Sequence, residues 1–127
     1  MKKRIEDFSQ PLTIVSKANW VNAMGIIRSL AIEQIPSIAI ADDPLGLGLF
    51  SNQTIGLRCP DYANSPQSLA DFLLDLADRL QQPGIIMPTD DATLETLIQI
   101  NGLIEGKYKK TYPRVELLDF ILDKHNQ

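Results

Sequence analysis

The sequence predicts an α/β fold, an open parallel sheet of about four to five strands with helices layered on both faces. Three observations carry this. Short apolar, β-branched runs alternate along the chain with longer segments of helical periodicity, which is the pattern of strand–helix–strand units. The runs at 12–16, 37–41 and 85–88 are apolar without alternation, as buried strands are. The chain has 127 residues, 44% hydrophobic and 22% charged, the size and balance of one globular domain.

Residues 1–10 are polar and read as a frayed lead-in, and residues 11–127 form the domain. Leu12-Thr13-Ile14-Val15-Ser16 is a strand. From Val21 to Gln34, the apolar Ala23, Ile26, Ile27, Leu30 and Ala31 share one side of a helix. After Pro36 the run Ser37-Ile38-Ala39-Ile40-Ala41 is a second strand, stopped by Asp42-Asp43-Pro44. Short turns on both sides of the helix make the two strands parallel with a right-handed crossover. Pro44 to Asn52 reads as a flexible loop despite Gly46-Leu47-Gly48, and Thr54 to Arg58 as a short strand at best. The next helix has Ser65 as N-cap, Pro66 at its first position and Asp71 toward its positive end. Leu69, Phe72, Leu73, Leu76, Ala77 and Leu80 recur along it, and Pro83-Gly84 stops it. Ile85-Ile86-Met87-Pro88 is a further strand. Thr89-Asp90-Asp91 caps a helix with Leu94, Leu97 and Ile98 inward, closed by Gly102. Lys107-Tyr108-Lys109-Lys110 reads as a solvated basic loop, and a last helix from Pro113 carries Val115, Leu117, Leu118, Ile121 and Leu122.

Composition removes several function classes. The net charge of −4 argues against a nucleic-acid protein that relies on phosphate neutralisation. With a single cysteine, Cys59, no internal disulfide can form, which suits a reducing compartment. Acidic and polar residues follow Lys2-Lys3-Arg4 where a signal peptide needs an apolar run, and no stretch suits a bilayer. The cytoplasm is the expected location. His125 is the only histidine, so a Ser/His or Cys/His catalytic pair is disfavoured and zinc-ligand spacing is missing. Cys59, with no histidine or basic cluster nearby in sequence, reads as an inert packing residue.

With strand 12–16 central, 37–41 on one side and 85–88 on the other, the winding reverses between the first and the last of these. Ligands of open α/β sheets bind at that point, beyond the carboxyl ends of the strands. The loops Lys17–Asn22 and Pro88–Asp91 therefore face one crevice, with Asp42 and Asp43 at its rim. The first loop lacks the G-x-G-x-x-G that a dinucleotide needs, because Gly25 falls inside the helix. Asn19 and Asn22 offer amide donors beside a helix N-terminus, an anion-friendly place, although the simpler role for one Asn is an N-cap. Trp20 either covers a ligand or packs half-buried. Thr89, Asp90 and Asp91 offer a hydroxyl and two carboxylates to a substrate amine or hydroxyl; equally, one of the acids caps the helix and the other complements its dipole.

Taken together, these segments resemble a known family. Asn19-Trp20-Val21-Asn22-Ala23-Met24-Gly25-Ile26-Ile27-Arg28-Ser29-Leu30, Phe50-Ser51, Ile86-Met87-Pro88-Thr89-Asp90-Asp91 and the terminal Leu117-Leu118-Asp119-Phe120-Ile121-Leu122-Asp123-Lys124 resemble, in order and spacing, the N-terminal pre-ATP-grasp domain of ATP-grasp ligases. The likeness is to the carbamoyl-phosphate-synthase-like and amino-acid ligases and covers roughly residues 12–124. It implies a three-layer αβα, Rossmann-like fold. It also implies an activity, ATP- and magnesium-dependent joining of a carboxylate to an amine through an acyl phosphate. By the same resemblance Lys124 contacts the nucleotide, while Asn19, Trp20, Asn22, Thr89, Asp90 and Asp91 line the substrate side. Where many relatives have a glycine-rich first loop, this chain has Lys17-Ala18-Asn19-Trp20, which leaves the substrate open. The family's ATP-binding lobes and metal carboxylates follow the Asp-Lys pair, so the expectation is a fragment of a longer ligase, inactive alone, whose partners are a small carboxylate or amine and its own ATP-grasp domain. An apolar face left bare for that domain would also favour a homodimer. The alternative is a stand-alone, non-catalytic α/β module that binds a small ligand or a partner protein.

Overall fold

The computed structural model describes residues 4–19, 21–63 and 65–110, with backbone alone for Asn22 and Lys110. Trp20, the Asn22 side chain and residues 111–127, with the expected last helix and Lys124, lie outside the described residues. Five strands, Thr13–Val15 (β1), Ser37–Ala41 (β2), Ile55–Arg58 (β3), Gly84–Met87 (β4) and Tyr108–Lys110 (β5), form one sheet in the order β3-β2-β1-β4-β5. Every pairing is parallel, with Ile14 opposite Ile38 on one side and Ile86 on the other. The connections are Val21–Ile32 (α1), a 3-10 turn at Leu47–Phe50, Pro66–Ala77 (α2), Asp91–Gln99 (α3) and Asn101–Ile104 (α4). This is a Rossmann-like αβα sandwich, and the chain reverses its winding between β1 and β4.

Strand alternation sorts the sheet residues into two cores. Ile14, Ile38, Ile40 and Ile86 face α2, α3 and α4 and meet Leu69, Leu73, Leu76, Leu97 and Ile104. Val15, Ala39 and Ala41 face the other way, toward Ala23 and Ile27 of α1, with Leu49 of the 3-10 turn alongside.

Several sequence expectations need correction. The basic run at 107–110 is no solvated loop: Tyr108–Lys110 is the edge strand β5, and the Tyr108 ring is buried with its hydroxyl donating to the Leu73 carbonyl. The lead-in is anchored, because Ile5 is 2% exposed within the larger core and Arg79 pairs with Glu6 at 2.7 Å. Ser65 and Pro66 do occupy the N-cap and first positions of α2, but the Ser65 hydroxyl makes no bond to a backbone N–H and accepts instead from Ser68 Oγ. Asp71 lies beyond the first turn and accepts from Gln67. α2 ends at Ala77, and Gly84 opens β4, so Pro83-Gly84 starts a strand and does not close the helix. In α3 the buried face is Thr93, Thr96 and Leu97, with Leu94 and Ile98 half-buried, and the helix breaks at Ile100.

The segment read as a flexible loop is a tightly seated turn. A Cβ on Gly48 would stand 2.5 Å from Ala18 Cβ and 2.9 Å from Ala39 Cβ, and one on Gly46 would stand 2.7 Å from Ala41 Cβ. Glycine is required at both positions because the turn lies directly against the sheet. Gly48 N–H donating to the Ala18 carbonyl at 2.8 Å fixes the turn there.

Candidate functional site

The carboxyl ends of β1, β2 and β4 converge, and the loops leaving them are bonded to one another. Ser16 follows β1 directly, its N–H and its hydroxyl both donating to the Met87 carbonyl at 3.1 Å. Thr89, just past β4, donates its hydroxyl back to the Ser16 carbonyl at 2.8 Å. The two loops expected to face each other therefore do so, held by reciprocal bonds across the point where the winding reverses.

Lys17 follows in the left-handed region, with φ at 52°, a conformation that costs a non-glycine residue about 1 kcal/mol or more. The turn is associated with a compact charge cluster. Lys17 Nζ lies 3.1 Å from Asp42 Oδ2 and 5.4 Å from the centroid of the Tyr62 ring. The Asn19 amide donates to the other Asp42 oxygen at 2.6 Å, while Asn19 Oδ1 accepts from the Asp43 N–H at 3.4 Å. The Tyr62 hydroxyl and Thr93 Oγ1 share a hydrogen bond of 2.8 Å. One cluster thus ties the loops after β1, β2 and β3 to the first turn of α3.

The electrostatics follow from burial. The Lys17 and Asp42 side chains are 22% and 12% exposed. Burial works against the Asp42 carboxylate, but the Asn19 amide and the Lys17 ammonium outweigh it and hold the carboxyl below its ordinary value. Cys59 is buried beside this cluster, and desolvation, aided by the Asp42 charge, pushes its thiol up to about 12. Burial also raises the Tyr62 phenol, against the opposing hydrogen bond to Thr93. Both stay protonated at neutral pH, so neither supplies a nucleophile or a base there.

The sequence-predicted residues divide accordingly. Asn19 is neither an N-cap nor an open donor: it braces the loop after β2. Asp90 is the N-cap of α3, accepting from the Thr93 N–H at 2.9 Å, and Thr89 closes the two loops together. Asp91 is exposed in the first turn of α3, and Asp43 is exposed at the rim. Trp20, the Asn22 side chain and Lys124 lie outside the described residues. Lys17, Tyr62 and Thr93 were not singled out from sequence. Lys17 stands where a dinucleotide fold would place its first glycine, which is the one signal that pointed to it. Tyr62 and Thr93 carry no local signal, since only the sheet brings them together.

The described residues form no glycine-rich turn into a helix N-terminus. Among them no group of three or more His, Cys, Asp or Glu side chains is placed to hold a metal ion, and no helix is long and apolar enough to cross a membrane. No protein-family profile matches the chain, and no curated protein matches it significantly in sequence.

Proposed function

We propose that the chain is the N-terminal, substrate-side domain of an ATP-dependent carboxylate–amine ligase of the ATP-grasp type. ATP and magnesium are then held by a following ATP-grasp domain, and these residues alone perform no ligation. The observation that supports this most is the crevice between β1 and β4, where the loops after both strands are bonded face to face at the winding reversal. Open α/β sheets take their ligands at this place. The resemblance of residues 19–30 and 86–91 to the family falls on the loops that build it. In this reading the braced groups Asn19, Asp42, Thr89 and Asp90 shape the crevice. Asp43 and Asp91, exposed at its edge, provide negative charge for a substrate ammonium.

The test is the mass of the protein in the cells that make it, detected with an antibody against this chain, followed by ADP release from that protein with a panel of carboxylates and amines. The expected outcome is a polypeptide much larger than 14.2 kDa with substrate-dependent ADP release. A product of 14.2 kDa would overturn the ligase reading and leave a free-standing binding module. That second reading has one observation of its own: among the described residues, Lys17 and Asn19 engage Asp42, and Tyr62 engages Thr93.

A further inference from the structure

We infer that the chain's own segment 113–124 docks in the groove between α1 and β4, over the half of the sheet that the described residues leave open. The proposal does not rest on the ligase reading. On one face of the sheet α2, α3 and α4 close the larger core, with the Tyr108 ring of β5 buried among them. On the other face α1 and the Leu47–Phe50 turn lie over β1, β2 and β3. Register sets Ile85 and Met87 of β4 beside Thr13 and Val15 of β1, and so on the α1 side. Both are half-buried, and neither packs into either core. Met87 forms one wall of a groove of about 630 Å³, and Gly25, Ile26, Ser29, Leu30 and Glu33 form the other. Parallel sheets are covered on both faces, and here β4, an interior strand, is covered on one.

The place where the described chain stops selects the occupant. It stops in β5, which pairs with β4 at the sheet edge, and residues 111–127 follow. A chain leaving the carboxyl end of that strand returns along one face or the other. The face of α2, α3 and α4 is filled, so the groove beside α1 is the course left to it.

The segment has the matching pattern. Pro113 suits the first position of a helix. Val115, Leu117, Leu118, Phe120, Ile121 and Leu122 then take more than half of the circumference, and Glu116, Asp119 and Asp123 share the remaining arc. So wide an apolar arc needs cover from two sides, which a groove walled by a helix and floored by a sheet provides. Its length fits as well, since α1 has 12 residues and spans about 18 Å. Charge agrees with this placement. Lys109, opposite Ile85 in register, is exposed at the open edge, where the acidic arc would border it.

Amide hydrogen exchange on the full 127-residue chain, read by mass spectrometry, tests this. The wild-type 113–124 amides are expected to exchange about 100-fold or more slower than an unstructured segment. Gly25→Glu and Ser29→Glu bring charge into the groove at exposed positions. Each is expected to remove at least about ten-fold of that protection while exchange in α2 is unchanged. Should a charged variant fail to fold, a double cysteine variant supplies the second test, since Cys59 is buried. Both helices leave the carboxyl edge, so Ser29 comes level with Leu122, and Ser29→Cys with Leu122→Cys is expected to form a disulfide within one chain on oxidation. Ser29→Cys with Asp119→Cys, on the acidic arc, is expected to form none. Unprotected 113–124 amides, protection indifferent to both charged substitutions, or a disulfide formed only between chains, as a second copy in the groove would give, would overturn the proposal.

Discussion

The two faces of the sheet are built on opposite principles. Toward α2, α3 and α4 the sheet presents isoleucines, and the helices answer with leucines and isoleucines; stability there comes from the volume of apolar side chain removed from water. Toward α1 and the Leu47–Phe50 turn it presents Val15, Ala39 and Ala41, met by Ala18 and Ala23 and by the bare backbone of Gly46 and Gly48. That face gains from closeness, with atoms in contact because no side chain intervenes. The large-residue face should therefore be sensitive to loss of volume, and the small-residue face to any gain.

Two substitutions break this comparison open. Leu73→Ala on α2 removes a side chain that is 1% exposed beneath the carbonyl that accepts the Tyr108 hydroxyl. It is expected to cost about 3 kcal/mol, within the range for buried leucines, as read from urea unfolding with an unchanged slope. Gly48→Ala adds one methyl group on the opposite face. Its Cβ would meet Ala18 Cβ at 2.5 Å and the Ala18 carbonyl at 3.1 Å. Neither neighbour is the free end of a flexible chain, so the turn must lift from the sheet. A loss of about 2 kcal/mol is expected, although alanine is normally the better residue against the unfolded state. If Gly48→Ala were neutral, the turn would have slack and the contrast between the faces would fail.

The large-residue face was the more legible one in the sequence. Its strands and α2 carry long apolar side chains at regular spacing, and periodicity reports those directly. The order of β2, β1 and β4 was the simplest arrangement of the strand–helix–strand units, and the facing of the two loops followed from the winding reversal that it implies. The small-residue face was read poorly because glycine carries two meanings, flexibility and close approach, and only the fold distinguishes them: Gly46-Leu47-Gly48 looked like a loose loop. β5 was missed because Lys107, Lys109 and Lys110 mask a strand of which Tyr108 is the buried residue. At the crevice the sequence located the loops but not the wiring. Asn19, Thr89 and Asp90 were visible as polar residues at strand ends; Asp90 caps its own helix at Thr93, but Asp42 and Ser16, the partners of Asn19 and Thr89, come from loops distant in sequence. Lys17 and Tyr62 meet only across the strand ends.

Where the two cores meet at the carboxyl edge, neither volume nor closeness decides stability; charge does. Asp42 follows Ala41 of the small-residue face, yet its ion partner Lys17 lies over Tyr62 of the large-residue core, so the pair links both. Asp42→Asn removes the charge with little change of shape and is expected to cost about 1–2 kcal/mol at neutral pH, the scale for hydrogen bonds to a partly shielded charged group. The pH dependence gives the sharper result. The folded protein holds the Asp42 carboxyl below its ordinary value of 3.8, so the unfolded chain takes up this proton first as pH falls. The stabilisation is then complete well above 3.8 and is lost as the pH drops through the folded value. Wild type and Asp42→Asn should accordingly differ in urea midpoint at pH 7 and converge in strong acid. A constant difference across that range would mean that Asp42 acts through shape, as the rest of the small-residue face does, and not through charge.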